Sequence, residues 1–137
     1  VNGFELTLLA VMQLYGAQSR AIDTGDAQMW AETFIPDGCF NSPSYPEPVT
    51  GRESLIYFAK SFTNKSPRTR HVITNAHITS MAAPGQATTS AYLMIVQTPV
   101  QGVAQILRLT TIEDELIKID GAWKVARRQV ILENKGQ

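Results

Sequence analysis

Cysteine is all but absent from this sequence: Cys39 stands alone among 137 residues, and one thiol cannot build an intrachain disulfide framework. Histidine is nearly as scarce. His71 and His77 with one cysteine fall short of the spaced ligand set that a structural zinc site uses. Charge of either sign is in no excess, since twelve Lys and Arg balance twelve Asp and Glu, which leaves no electrostatic footprint for nucleic acid or an anionic membrane. A long hydrophobic run is missing too. Spanning a bilayer takes about 18–20 apolar residues in a row, and the apolar stretch from Phe4 to Leu14 is interrupted by Glu5, Thr7 and Gln13. The chain begins on Val1 rather than Met, as a trimmed start does, and a cytoplasmic protein without metal or cofactor is the expectation.

Motifs that carry well-known chemistries are absent as well. There is no Gly-rich phosphate loop, no Gly-x-Ser-x-Gly elbow and no His-Glu-x-x-His pair, which argues against phosphoryl transfer, α/β-hydrolase chemistry and zinc hydrolysis. Arg68, Arg70, Arg127 and Arg128 are few and are not interleaved with aromatic stacking residues. What the chain does have is a 44% apolar composition, enough at this length for one core and one domain over residues 1–137. The partner this composition points to is a small apolar organic molecule or another protein subunit.

Apolar residues at Phe4, Leu8, Val11, Tyr15 and Ile22 recur at helical spacing and predict a first helix to Ile22. Gly25 suits the end of that helix, and Asp26 the N-cap of a second carrying Met29, Trp30, Thr33 and Phe34. Pro36 stops it, and Asp37-Gly38 predicts a turn. The Pro-rich segment Cys39 to Val49 reads as a short hairpin or ordered loop with brief edge strands. Leu55, Ile56, Ala59 and Phe62 predict a third helix from Arg52, running out in the polar stretch Thr63 to Arg68. Four long antiparallel strands follow, over His71 to Met81, Thr88 to Thr98, Val103 to Ile119 and Trp123 to Leu132, with turns between them that include a strong Asp120-Gly121 hairpin signal. Helices first and a meander afterwards make an α+β domain with helices covering one face of a curved sheet.

Such a sheet closed by helices leaves a concavity, and strand parity sorts its residues. His71, Ile73, Asn75 and His77 share one face; Val72, Thr74, Ala76 and Ile78 share the other and read as the core stripe. If the mixed face lines the concavity, His71 and Asn75 become pocket candidates. Taken alone, a strand His is as readily structural, and Asp23, at the negative end of a helix dipole, reads as a turn residue. Tyr15, Trp30, Phe34, Tyr45, Tyr57, Phe58 and Tyr92 are either pocket walls for a planar ligand or plain core. Asp114 and Arg128 fall near mutual register on the last two strands, where a structural ion pair is the simpler reading.

Tyr15, Ala21-Ile22-Asp23-Thr24-Gly25-Asp26, Trp30, Phe34 and Asp37-Gly38-Cys39-Phe40 together resemble the opening of SnoaL-like proteins of the nuclear transport factor 2-like (NTF2-like) superfamily. Gly51-Arg52-Glu53, Arg70-His71-x-x-x-Asn75-x-x-Ile78, Asp114, Asp120-Gly121-x-Trp123-Lys124-Val125 and Arg128 extend the resemblance over nearly the whole chain. It implies a cone of three N-terminal helices on a strongly curved, mostly antiparallel sheet around an internal pocket. A homodimer through the open sheet face is expected because a broad sheet with apolar outward residues usually finds a partner. Within the superfamily the chain is most similar to the scytalone dehydratase branch, which implies Asp23 and His71 as catalytic positions. That enzyme's second active-site His has no counterpart between Gln97 and Val100.

The resulting expectation is a cofactor-independent lyase, isomerase or cyclase acting by Asp23–His71 acid/base chemistry on a small polyketide- or terpenoid-like substrate. Tyr15, Tyr45 or Asn75 would donate to a developing oxyanion, and Trp30, Phe34, Phe58 and Tyr92 would line the pocket. Two alternatives stay open: a non-catalytic binding module using the same pocket, and an assembly subunit of an oxygenase-like complex.

Overall fold

The computed structural model describes residues 3–62 and 68–133. Helix α1 (Gly3–Asp23) buries Thr7, Val11, Tyr15, Gln18, Ala21 and Ile22, steps of three and four that keep one face on the core. Phe4, read as the start of that stripe, is exposed, and Thr7 takes its place. The helix ends in a Schellman motif: Gly25 adopts φ 86°, its N–H donates to the Ile22 carbonyl, and the Asp26 N–H reaches back to Ala21. That close stop makes Asp23 the last helical residue. Asp26 then caps α2 (Ala27–Glu32), accepting from the Met29 N–H at 3.1 Å.

Helix α2 is shorter than its sequence predicts. Thr33 is its C-cap, donating its hydroxyl to the Trp30 carbonyl at 2.5 Å, and Phe34 already opens strand β1 (Phe34–Asn41). Asp37-Gly38, read as a turn between elements, lies inside this strand. Phe34 pairs with Val125 and Cys39 with Arg127, so five residues of β1 pass two of its neighbour. Pro36, which has no N–H for a ladder, lies in that bulge, and Gly38 is needed there because a Cβ would meet the Phe34 Cβ at 2.9 Å. Strand β1 is therefore internal, and only the two-residue β2 (Val49–Thr50) forms the expected hairpin edge beside it.

Helix α3 (Arg52–Lys60) starts as predicted; the polar stretch after Phe62 falls on 63–67, outside the described residues. Strands β3 (Arg68–Ser80), β4 (Gln86–Thr98), β5 (Gln105–Ile119) and β6 (Ala122–Leu132) form the antiparallel meander. The mixed sheet has the order β2-β1-β6-β5-β4-β3, with β1 parallel to β6, and does not close. Helices on one face of this sheet make an α+β, NTF2-like fold. The core between them holds Phe34, Leu55, Ile112, Leu116 and Val125, all fully buried.

Three bulges decide which side chains face the helices. On β3 the register slips between Thr74 and His77, where Asn75 has φ 56°. His71 and Ile73 point inward before the slip, and Ala76 and Ile78 after it. The single core stripe Val72-Thr74-Ala76-Ile78 is thus corrected, because one extra residue exchanges the faces. On β5 Leu107 is the extra residue, and on β6 Ala126 is. Without the β6 bulge, strict alternation from Val125 would bury Arg127; with it, Arg128 is buried and Arg127 exposed.

Candidate functional site

Asp23 and His71 meet. The Asp23 carboxylate accepts the His71 backbone N–H at 3.0 and 3.1 Å, and its Oδ1 lies 2.8 Å from His71 Nδ1. A carboxylate only accepts, so Nδ1 carries the proton and Nε2 has the free lone pair. Nε2 makes no hydrogen bond among the described residues, and the two side chains are only 13% and 10% exposed. Two structural devices aim this pair: the Gly25 helix stop that fixes Asp23, and the stretch of β3 ahead of the Asn75 bulge that turns His71 inward.

The imidazole lines a cavity of about 50 Å³ between the helices and the sheet. Its aromatic wall comes from Trp30, Phe40, Tyr45, Phe58 and Phe62, its aliphatic wall from Ile22, Ile73, Leu93, Ile95 and Val130. The rings are in mutual contact: Phe58 lies 4.8 Å from Phe40, 5.2 Å from Tyr45 and 5.4 Å from Phe62, centroid to centroid. Phe62 in turn meets the His71 ring edge-on at 5.1 Å.

Behind this wall lies a buried polar network. Asp114 and Arg128 are direct register partners, and Arg128 Nε and Nη2 each sit 2.8 Å from a different Asp114 oxygen. Nη2 also donates to Gln18 Oε1 at 2.8 Å, and Gln18 Nε2 donates to Thr33. Tyr15 donates to Asp114 at 2.6 Å and shares a second contact of 2.6 Å with Thr89. Burial first, then the Asp114 charge, pushes the Tyr15 phenol above its ordinary pKa. Burial works against the Arg128 cation, but Asp114 and Tyr15 together outweigh it, so the guanidinium is held above its ordinary value.

The remaining predicted residues separate into two groups. Trp30, Tyr45 and Phe58 line the cavity, whereas Phe34 sits behind it, its ring 5.8 Å from the Arg128 guanidinium. Tyr15 is absent from the cavity lining, its hydroxyl engaged by Asp114 and Thr89. Asn75, expected in the pocket, is exposed at the β3 bulge; Tyr92 and Tyr57 are exposed as well. Tyr92 belongs to the outward set of β4, opposite the inward Ala91 and Leu93. Ser19, Gln18, Phe62, Arg108 and Arg128 line the cavity without having been singled out as pocket residues. The signal for Ser19 is its place four residues before Asp23 on the same helix face, and that for Arg108 is its alternation with the inward Thr110, Ile112 and Asp114 of β5; Arg128 depends on the β6 bulge, which no spacing rule reveals.

Among the described residues no helix is long and apolar enough to cross a membrane, and no group of three or more His, Cys, Asp or Glu is placed to hold a metal ion.

The chain matches the SnoaL-like domain over residues 6–129. A protein from Catenulispora acidiphila, solved in complex with S-DNPA, superposes with TM-score 0.82 at 27% identity, covering 96% of each chain. Rv3472 of Mycobacterium tuberculosis, a protein of unknown function, gives 0.83 at 26% identity over 93% of this chain and 72% of its own. An NTF2-like protein with a cystatin-like fold from Novosphingobium aromaticivorans gives 0.80 at 18% identity over 96% and 88%. No curated protein sequence matches.

Proposed function

We propose, for a chain that belongs to the SnoaL-like domain family, that its small-molecule-binding or enzymatic role is proton transfer on a small, largely apolar ring compound held against His71. The observation that carries this reading is the 2.8 Å contact between Asp23 Oδ1 and His71 Nδ1 at the wall of an aromatic cavity. With Nδ1 protonated, Nε2 acts as base. It takes a proton from carbon next to a carbonyl, and the C–H electron pair moves onto the carbonyl oxygen as an enolate. Asp23 stabilises the imidazolium that forms. In dehydration the imidazolium returns its proton to a departing β-hydroxyl; in isomerisation it returns the proton to a different carbon of the enolate system; in ring closure the enolate carbon bonds to a second carbonyl carbon and the imidazolium gives its proton to the alkoxide oxygen so formed. Tyr45, which lines the cavity, is the remaining candidate donor to the enolate oxygen, since Tyr15 serves Asp114 and Asn75 lies outside. The relative from Catenulispora acidiphila, solved with a bound small molecule, supports ligand binding at this fold.

A homodimer goes with this reading. Val72, Met94 and Leu109 are cross-strand neighbours on the outward face of β3, β4 and β5, with exposed Tyr92 close by. Sedimentation velocity reads this directly, and a monomer at micromolar concentration refutes it.

The test of the chemistry is exchange of the α-protons of one- and two-ring ketones in D2O, followed by NMR, with β-hydroxy ketones screened beside them for water loss. Wild-type protein accelerates exchange of at least one compound. His71→Ala and Asp23→Asn lower that rate by about 10²–10⁴-fold while the fold persists. A rate that His71→Ala leaves unchanged removes the catalytic reading.

A further inference from the structure

Hydroxyl side chains along α1 fold back onto the helix. Thr7 donates to the Gly3 carbonyl at 2.8 Å, and Thr24, just past the helix end, donates to Arg20 at 2.7 Å. Ser19 does neither. Its Oγ is buried and is the one buried side-chain oxygen or nitrogen with no hydrogen-bond partner among the described residues. Ser19 lines the cavity, four residues before Asp23, which puts it on the same helix face and about 6 Å along the axis from the Asp23–His71 pair.

A second incompletely used group shares that lining. Arg128 gives Nε and Nη2 to Asp114 and Gln18, and Nη1 makes no hydrogen bond among the described residues. The neighbouring amide of Gln18 is already committed at both ends, to Arg128 and Thr33. Unspent hydrogen-bonding capacity at the helix side of the cavity is thus concentrated on Ser19 Oγ and Arg128 Nη1. A buried polar group left without a partner is destabilising, and such groups in native proteins are ordinarily met by a ligand or ordered water.

We infer that Ser19 and the Nη1 edge of Arg128 form an oxygen-binding point, and that the cavity selects ring compounds bearing a carbonyl or hydroxyl oxygen over plain hydrocarbons. This rests on the cavity being the ligand site and adds where a ligand oxygen is held. A carbonyl accepts from both groups. A phenol donates to Ser19 and accepts from Arg128. With its oxygen held here, the ring extends along α1 toward His71, and the aromatic wall covers its faces.

Toluene and p-cresol differ by one hydroxyl and separate the two claims. Their binding to wild type and to Ser19→Ala is followed by NMR through the indole N–H of Trp30, which lines the same cavity. Wild type prefers p-cresol. Ser19→Ala weakens p-cresol about fivefold, the size of one hydrogen bond, and leaves toluene unchanged. Ser19→Ala also melts no lower than wild type, because it deletes an unpaired hydroxyl and gains helix propensity. An unchanged preference in the variant, or an equal loss for both probes, overturns the oxygen-binding point. Equal binding of the two probes to wild type overturns it while leaving the cavity reading in place. Failure of both probes to bind removes both claims.

Discussion

Replacing Asp114 with alanine isolates the Arg128 guanidinium in the core, and the structure sets the size of the effect. Asp114 and Arg128 are 2% and 3% exposed, joined by two 2.8 Å contacts, so neither is relieved by solvent. Removing one partner of such a pair costs about 3–5 kcal/mol, because the remaining charge is left uncompensated. Tyr15 also loses its acceptor, which places Asp114→Ala at the upper end. For a domain of this length that corresponds to a fall in melting temperature of roughly 10–20 °C. The double substitution Asp114→Leu with Arg128→Met removes both charges and costs less than Asp114→Ala alone. Urea unfolding of wild type, Asp114→Leu, Arg128→Met and the double gives the coupling between the two positions. A cost below about 1 kcal/mol for Asp114→Ala, or singles that simply add in the double, would refute the reasoning.

Substitutions at two further positions probe the bulges. Gly38→Ala drives a Cβ to 2.9 Å from the Phe34 Cβ and 3.0 Å from the Ile35 carbonyl, and is expected to cost about 1–3 kcal/mol in a urea titration; a neutral result would mean the β1 bulge can relax. Asn75→Val places a β-branched residue at φ 56° and is expected to cost about 1–2 kcal/mol, whereas Asn75→Gly is tolerated. Equal stabilities of the two variants would argue against the bulge.

Element types and most of their order were legible because they rest on local patterns. The α1 stripe, the Asp26 cap, the Gly25 stop and the Asp120-Gly121 hairpin each follow from a few neighbouring residues. The pairing of Asp114 with Arg128 was legible only approximately: the register set by the tight hairpin, carried on past Leu116 and Val125, would put Asp114 opposite Arg127, and the Ala126 bulge brings Arg128 there instead. Strand β1 was hidden because Pro36, Asp37 and Gly38 signal a stop, and only pairing with β6, nearly a hundred residues away in sequence, makes the segment extended. Asn75 was misplaced for a related reason: alternation predicts a face only while the ladder is regular, and its own positive φ interrupts it. The Asp23–His71 contact joins a helix end to a strand 48 residues later. Spacing alone does not forecast that contact, and it was reached through the resemblance.

Strand β3 lies at the end of the sheet order, with one side unpaired by any other strand among the described residues. There the His71 N–H donates to Asp23. A free strand border invites another chain to add to it, and Asp23 blocks that border with a charged cover at the point nearest the cavity. The same carboxylate thus guards against intermolecular strand addition as well as orienting the imidazole. Asp23→Asn keeps an oxygen over the N–H, while Asp23→Ala strips it bare, so the alanine variant should be the one that assembles beyond the dimer on concentration.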